Sequence, residues 1–335
     1  MLAAWPDVAP ESRAPALQGA GLLAQGQGDY RQARRCYDAA LTTWRGVGHR
    51  PGIADALQSL ANLAYGQGEY RRAQVLLGEV LALSRELGDR QRIARSLNDL
   101  GNVACERGQY EPATRLHQEA LAMRRTLGDP GGVARSLNNL GNVAIASGAY
   151  QEAGALYEES LALRRDLSDK PGTAASLSNM GRVAFALGEY ERAASLYEEA
   201  LALRRAIGAD WAIARNIMNL GRVAFARGDH ARAQTCYRDA LSMHQVLADK
   251  QGIAIDLDRL AELEAATGHS ERSVTLFAAA AALRETIEAP VPPGERDAYD
   301  RQLQALRSTL GQDAFDAAWQ EGRSLLIEQR FGNAS

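Results

Sequence analysis

The chain has 335 residues, of which 46% are hydrophobic, 24% charged and only 6% aromatic, and its formal net charge is −3. This is the composition of a helix-rich globular chain, and the mild acidity excludes a global attraction to nucleic acid or to an anionic membrane. Three cysteines (Cys36, Cys105 and Cys236) give neither a paired framework nor metal-ligand spacing; no apolar run approaches the roughly 20 residues that cross a bilayer, and the opening MLAAWPDVAP lacks a leader pattern, so a cytoplasmic protein is expected.

Taken in chain order, residues 1–13 are expected to be a disordered lead-in. Residues 14–289 then read as seven helix pairs, beginning near Ala14, Gly52, Arg92, Gly132, Pro171, Trp211 and Gly252. The period is 40 residues: Gly28 falls on Gly68, Gly108, Gly148, Gly188, Gly228 and Gly268, and Tyr30 on Tyr70, Tyr110, Tyr150 and Tyr190. A fixed period of this size predicts stacked units that bury their apolar faces against their neighbours. In the type unit, 130–168, Val133, Leu137, Leu140, Gly141 and Ala144 recur at helical spacing, and Gly148 stands where a left-handed residue would end the helix. Tyr150 opens the second helix of the pair, which ends in Arg164 and Arg165, a basic pair that complements the helix C-terminus. Asp129 ahead of Pro130, and Asp169 ahead of Pro171, read as N-caps. Gly101, Gly141, Gly181 and Gly221 imply a tight approach, expected against the column Ala113, Ala153, Ala193 and Ala233; Tyr37, Tyr157, Tyr197, Tyr237 and Phe277 read as core. The seventh pair is degenerate, with Ser270 and Ser273 in place of tyrosine and alanine. A proline-rich linker, 290–294, leads to residues 295–335, where helices over about 295–310 and 313–329 carry Leu303, Leu306, Leu310, Phe315 and Trp319 to close the open end.

Asn139, Leu140 and Gly141, followed by Ala144, Ala153, Tyr157 and Ser160, resemble the tetratricopeptide-repeat signature, and the pattern recurs through at least six units. The usual closing proline is missing, and the period exceeds the usual one of about 34. The resemblance implies an all-α, right-handed superhelical solenoid of antiparallel helix pairs with a C-terminal helical cap. Similar long repeats occur in polarity adaptors and in the arms of bacterial signal-transduction ATPases and transcriptional regulators. Leu310, Gly311, Phe315, Trp319, Gly322 and Arg323 resemble the tail that follows those arms, whose nucleotide-binding and DNA-binding modules have no counterpart here.

Catalytic chemistry is not expected. His49, His117, His230, His244 and His269 fall in different columns without a His-Glu-x-x-His pattern; the glycine clusters lack a Gly-Lys-Ser/Thr ending; and Glu158-Glu159 and Glu198-Glu199 repeat on a solvated face. No metal and no cofactor are expected.

One stripe of the first helix of each pair lies beside the apolar face, and the resemblance implies that it lines a concave groove. Asn62, Asn98, Asn102, Asn138 and Asn142 form an asparagine ladder suited to the backbone of an extended peptide. Arg95, Arg135, Arg182, Arg215 and Arg222 supply charge, with Phe185 and Phe225 beside the last three as an apolar anchor. Asp258 and Glu262 turn the seventh unit acidic, either to fix ligand direction or to pair with arginines. These residues predict an adaptor for an acidic, extended peptide or partner-protein segment, with no nucleic-acid or membrane partner and the oligomeric state left open. The alternative is a regulatory sensor arm of a signalling ATPase or transcriptional regulator; helical-repeat RNA binding lacks the positive inner face that it needs.

Overall fold

The computed structural model describes residues 9–287, 289–291 and 293–332, and among them there are sixteen α-helices and no strand. Two compact units divide the chain, Met1–Ser168 and Asp169–Ser335. The first holds four helix pairs: α1 (Pro10–Gly26) with α2 (Tyr30–Gly46), α3 (Arg50–Gly66) with α4 (Tyr70–Glu86), α5 (Arg90–Glu106) with α6 (Tyr110–Leu127), and α7 (Pro130–Ala146) with α8 (Tyr150–Asp166). The second holds three: α9 (Lys170–Ala186) with α10 (Tyr190–Ile207), α11 (Asp210–Ala226) with α12 (His230–Val246), and α13 (Lys250–Ala266) with α14 (Ser270–Ile287). It ends in α15 (Pro293–Leu310) and α16 (Gln312–Gly332). Each unit is a solenoid segment in which every helix packs on the next in sequence, as links too short for anything but antiparallel neighbours require. Of the lead-in expected to be disordered, 1–8 lies outside the described residues and 10–13 belongs to α1.

The pairs begin one to four residues before the positions read from apolar spacing, because a polar first turn carries no apolar period yet is helical. Its N-cap explains why. Asp129 accepts a hydrogen bond from the Gly132 N–H (2.8 Å), Asp169 from Gly172 (2.9 Å) and Asp249 from Gly252 (3.0 Å), and His49 Nδ1 does the same for Gly52 (3.0 Å). At the other end Gly148 adopts φ +82°, donating to Ile145, while Ala149 donates to Ala144 and closes the helix before the chain reverses.

The internal glycines face rings, not the alanine column expected from the sequence. A Cβ added at Gly101 would lie 2.6 Å from the His117 ring, at Gly141 2.6 Å from Tyr157, and at Gly181 and Gly221 2.7 Å from Tyr197 and Tyr237. These rings are fully buried, so the second helix of each pair fills the space that a missing methyl leaves on the first. Two helices carry alanine instead: Ala61 packs with the smaller Leu77, and Ala261 with Phe277, a ring that lacks the hydroxyl.

The basic pair stands in the last turn of α6, α8 and α10 as expected, and in two of them its first member does more. Arg124 and Arg204 are only 4% and 3% exposed. Arg124 Nη1 donates to the Gly132 carbonyl (2.8 Å) and to Ser136 Oγ (2.9 Å) in the next pair, and Arg204 Nη1 to Ala212 (2.7 Å) and Asn216 Oδ1 (2.8 Å). At the equivalent point His244 Nδ1 meets Asp256 Oδ2 at 2.6 Å, both buried. Pair is thus joined to pair by a buried polar clasp as well as by apolar packing. Arg125, the second of its basic pair, stays outside and bonds Glu159 (2.9 Å).

The end of the second unit is covered as the leucines and aromatics implied. Leu306, Phe315 and Ala318 are buried with Ala261, Val274 and Phe277; Leu303, Leu310 and Trp319 pack around them. Arg323 holds Glu285 through two 2.8 Å bonds, and Gly322 lies so close to the Thr275 carbonyl that a Cβ would be 2.1 Å from it. The final helices begin at Pro293 and Gln312, so the expected linker 290–294 ends inside α15.

Candidate functional site

The first helix of each pair, the A-helix, brings equivalent columns into register within each unit. In the first unit Gln58 of α3 donates to Asp99 of α5 (3.0 Å) and Asn139 of α7 to Asn98 of α5 (3.0 Å), residues one period apart plus one. The consequence for the asparagine ladder is that its members are not equivalent. Asn98 is 3% exposed, with its carboxamide oxygen engaged by Asn139, so it acts as a joint between A-helices. Asn138 is half-buried. Asn142 is half-buried and accepts from the Tyr157 hydroxyl (2.7 Å). Asn62 is exposed and accepts from Gln58 (2.9 Å), whereas Asn102 makes no hydrogen bond with the described residues. Arg95 and Arg135 are exposed. Burial raises the pKa of Asp99, against the charge of Arg95 and the hydrogen bonds from Gln58 and Asn98.

In the second unit α9, α11 and α13 form a cleft of about 410 Å³. Arg182, Arg215 and Arg222 line it together with Asn219, Asp258 and Arg259. The two acidic residues expected to fix direction or pair are both paired: Asp258 with Arg284, through two bonds, and Glu262 with Arg259 (2.6 Å). No carboxylate among the described residues pairs with Arg182, Arg215 or Arg222. Their contacts are a weak 3.4 Å bond from Arg182 to Asn179, Arg215 over the Trp211 ring (4.6 Å) and Arg222 over Phe185 (4.7 Å). Burial, then the like charge of Arg182, lowers the pKa of Arg215; burial, then Arg259, lowers that of Arg222. Like charges held this close destabilise one another, and an anion between them relieves the repulsion.

Phe185 and Phe225 are half-buried and face Tyr190 (5.5 Å between ring centres) and His230 (5.7 Å). With Arg222 on one side and Tyr190 on another, Phe185 serves as a platform for the guanidinium. The residues missing from the sequence reading are Arg259 and Arg284, which neutralise the acidic end, and Trp211, which supports Arg215. Trp211 is the second residue of α11, whose N-cap Ala209 offers no side-chain hydrogen bond, and an aromatic at that place of the repeat is the one signal the sequence carries. Among the described residues no group of three or more His, Cys, Asp or Glu side chains could hold a metal, and no helix is long and apolar enough to cross a membrane.

No curated protein matches the sequence significantly. Solved structures resemble the fold at low identity. An aspartyl phosphate phosphatase F from Bacillus subtilis has a TM-score of 0.66 at 16% identity, covering 81% of this chain and 70% of that one. A Rap conjugation gene regulator of the plasmid pLS20, solved in complex with the Phr* peptide, has 0.65 at 16%, covering 85% and 78%. A signal-transduction ATPase with numerous domains and a tetratricopeptide-repeat sensor, from Pyrococcus horikoshii, has 0.62 at 16%, covering 97% of this chain and 49% of that one. Tetratricopeptide-repeat sequence models match residues 12–86, 67–126, 132–206 and 217–249, more than half of the sequence. Sequence and helix-pair architecture together place the chain in the tetratricopeptide-repeat family.

Proposed function

We propose that the chain is a non-catalytic interaction module that holds an extended, acidic segment of a partner protein on the A-helix face. The observation that carries this reading is the charge imbalance of the α9/α11/α13 cleft: three guanidiniums without a carboxylate partner, beside acidic residues already neutralised by Arg259 and Arg284. Guanidinium forks take carboxylates in two-point contacts, and a cleft wall that limits water strengthens each one. Asn62, Asn102 and Asn142 on the first unit, with the exposed Arg95 and Arg135, supply backbone and charge contacts of the same kind. Asn98 and Asn138 support that face from within and beside it. Phe185 positions Arg222, and both rings flank the segment.

Isothermal titration with a peptide of six glutamates tests the reading. Binding to the wild-type protein that weakens with salt, and is lost in Arg182→Glu/Arg222→Glu, is the expected result. Unchanged affinity in the double variant, with its circular dichroism intact, refutes the assignment.

A sensor arm is the second reading, favoured by the fold shared with the repeat protein from Pyrococcus horikoshii, which aligns with 97% of this chain. The Rap regulator of the same fold was solved with a peptide. In a sensor arm the same cleft receives the signal-bearing segment, and the peptide titration applies unchanged.

A further inference from the structure

Beside the arginine cleft, and opening next to it, lies a second cavity of about 350 Å³ that no part of the charge argument uses. Its lining is Ala281 and Arg284 of α14, Ala289, Pro290 and Val291 of the connection, and Tyr299 of α15. Glu285 stands at its edge, held by Arg323 through two 2.8 Å bonds. Three of these residues, Arg284, Ala289 and Pro290, also line the arginine cleft. The two cavities therefore share a wall, made of the proline ring and the stem of an arginine whose guanidinium is locked onto Asp258.

Apolar surface that the described residues leave open in this way is costly unless something covers it. Tyr299 packs edge-on against the buried Phe277 (5.3 Å between ring centres), which fixes one wall. Its hydroxyl makes no hydrogen bond with the described residues, so a donor is available at the cavity. The size falls in the range of ligand pockets, and the lining offers methyl groups, a proline and an aromatic ring with almost no charge beyond the two residues already paired.

We propose that this cavity takes a large apolar side chain of the same acidic segment that fills the arginine cleft, so that the recognised sequence is a run of carboxylates with a hydrophobic residue a few positions from it. The inference rests on the acidic-segment reading, and continuity of the two cavities names the occupant: a chain crossing the shared wall at Pro290 enters a positive site on one side and an apolar one on the other. Specificity then comes from the apolar pocket and attraction from the arginines, the division of labour usual at interfaces. The cap is thereby part of the binding site as well as a cover for the last repeat.

The experiment is calorimetric titration of the full chain with peptides of four glutamates, two glycines and a terminal phenylalanine, in both chain orders, and with counterparts in which serine replaces phenylalanine. The expected result is binding at least about tenfold tighter for one phenylalanine peptide than for its serine counterpart. Ala281→Phe or Val291→Trp, which fill the cavity without changing charge, abolish that preference and leave the serine peptide's affinity unchanged. Two positions guard against one variant failing to fold, as judged by its helical circular dichroism. Serine peptides that bind with no phenylalanine preference, or a preference that persists in both filled variants, overturn the pocket and leave the acidic reading standing. Absence of binding by every peptide overturns both.

Discussion

Arg204 and Arg205 are adjacent in the last turn of α10, and their removal is expected to have very unequal consequences. Arg204 is 3% exposed, and its Nη1 donates to the Ala212 carbonyl at 2.7 Å and to Asn216 Oδ1 at 2.8 Å. Burial, with the charge of Arg215 adding to it, brings its pKa down to about 10, so the group still carries its proton at neutral pH. Arg204→Ala deletes two charge-assisted hydrogen bonds and empties the channel of the arginine stem, while recovering part of the cost of burying a charge. The net loss works out at about 3 kcal/mol, near the upper end for single substitutions. Arg205 is exposed, and Arg205→Ala is expected to change stability by about 0.5 kcal/mol or less. Urea unfolding followed by far-ultraviolet circular dichroism reads the difference. Because stacked repeats open in stages, hydrogen exchange should place the Arg204 loss at α10 and α11. Equal losses for the two variants, or a cost for Arg204→Ala below about 1 kcal/mol, would refute the idea that a polar clasp joins one pair to the next.

Two further substitutions probe the same interior. His117 is fully buried with neither ring nitrogen hydrogen-bonded, and desolvation, helped by Arg124, lowers its pKa to about 4; His117→Tyr, which copies the Tyr157–Asn142 bond toward the unengaged Asn102, should raise stability by about 1 kcal/mol, and a lower melting temperature would reject it. At His244 burial pulls the imidazole pKa down, but the bond and charge of Asp256, then Asp249, outweigh it and leave the value raised, while burial raises Asp256. Raised values mean that the folded state holds more protons than the unfolded one, so this clasp contributes most at low pH and loses stability as pH climbs, through Asp256 above about 4 and through His244 above about 6.5. Comparing the wild type with His244→Arg/Asp256→Asn, a copy of the Arg204–Asn216 clasp, the stability gap should move toward the variant between about pH 6 and pH 9; a gap flat with pH sinks the assignment.

What could be read from the sequence was whatever one period displays by itself. The 40-residue spacing, the positive-φ turn at Gly148 and the Asp129 and Asp169 caps depend on neighbours within a few positions, and each stands in the structure where the spacing put it. Partner identity across a helix pair was less legible. A glycine column announces a close approach, but only the crossing of the two helices decides whether an alanine or a ring sixteen residues away fills it, and rings do. The clasp was written in the sequence at a spacing of twelve, as Arg124 with Ser136, Arg204 with Asn216 and His244 with Asp256. The sequence does not announce it, because a basic residue near a helix C-terminus already has an adequate local explanation.

The site was divided by the same geometry. Two columns of the A-helix, four residues apart, look similarly polar in sequence, yet in the first Gln58, Asn98, Ser178 and Asp258 are buried and Asn138 half-buried, whereas in the second Asn62 and Arg182 are exposed and Asn102, Asn142 and Arg222 half-buried. The first column faces neighbouring helices, and a polar side chain there is obliged to spend its hydrogen bonds on them: Gln58 on Asp99, Asn98 on Asn139 and Ser178 on Asn216 of the next A-helix, and Asp258 on Arg284 of α14. The second column is what remains for a ligand. Its composition changes along the repeats from Asn62, Asn102 and Asn142 to Arg182 and Arg222, so the residues free to vary are those proposed above to carry recognition, while their neighbours one turn away are held by the stacking of the helices. Arg182 therefore marks a choice made at an exposed position and Arg222 one at a half-buried position, where no buried carboxylate among the described residues calls for a positive charge.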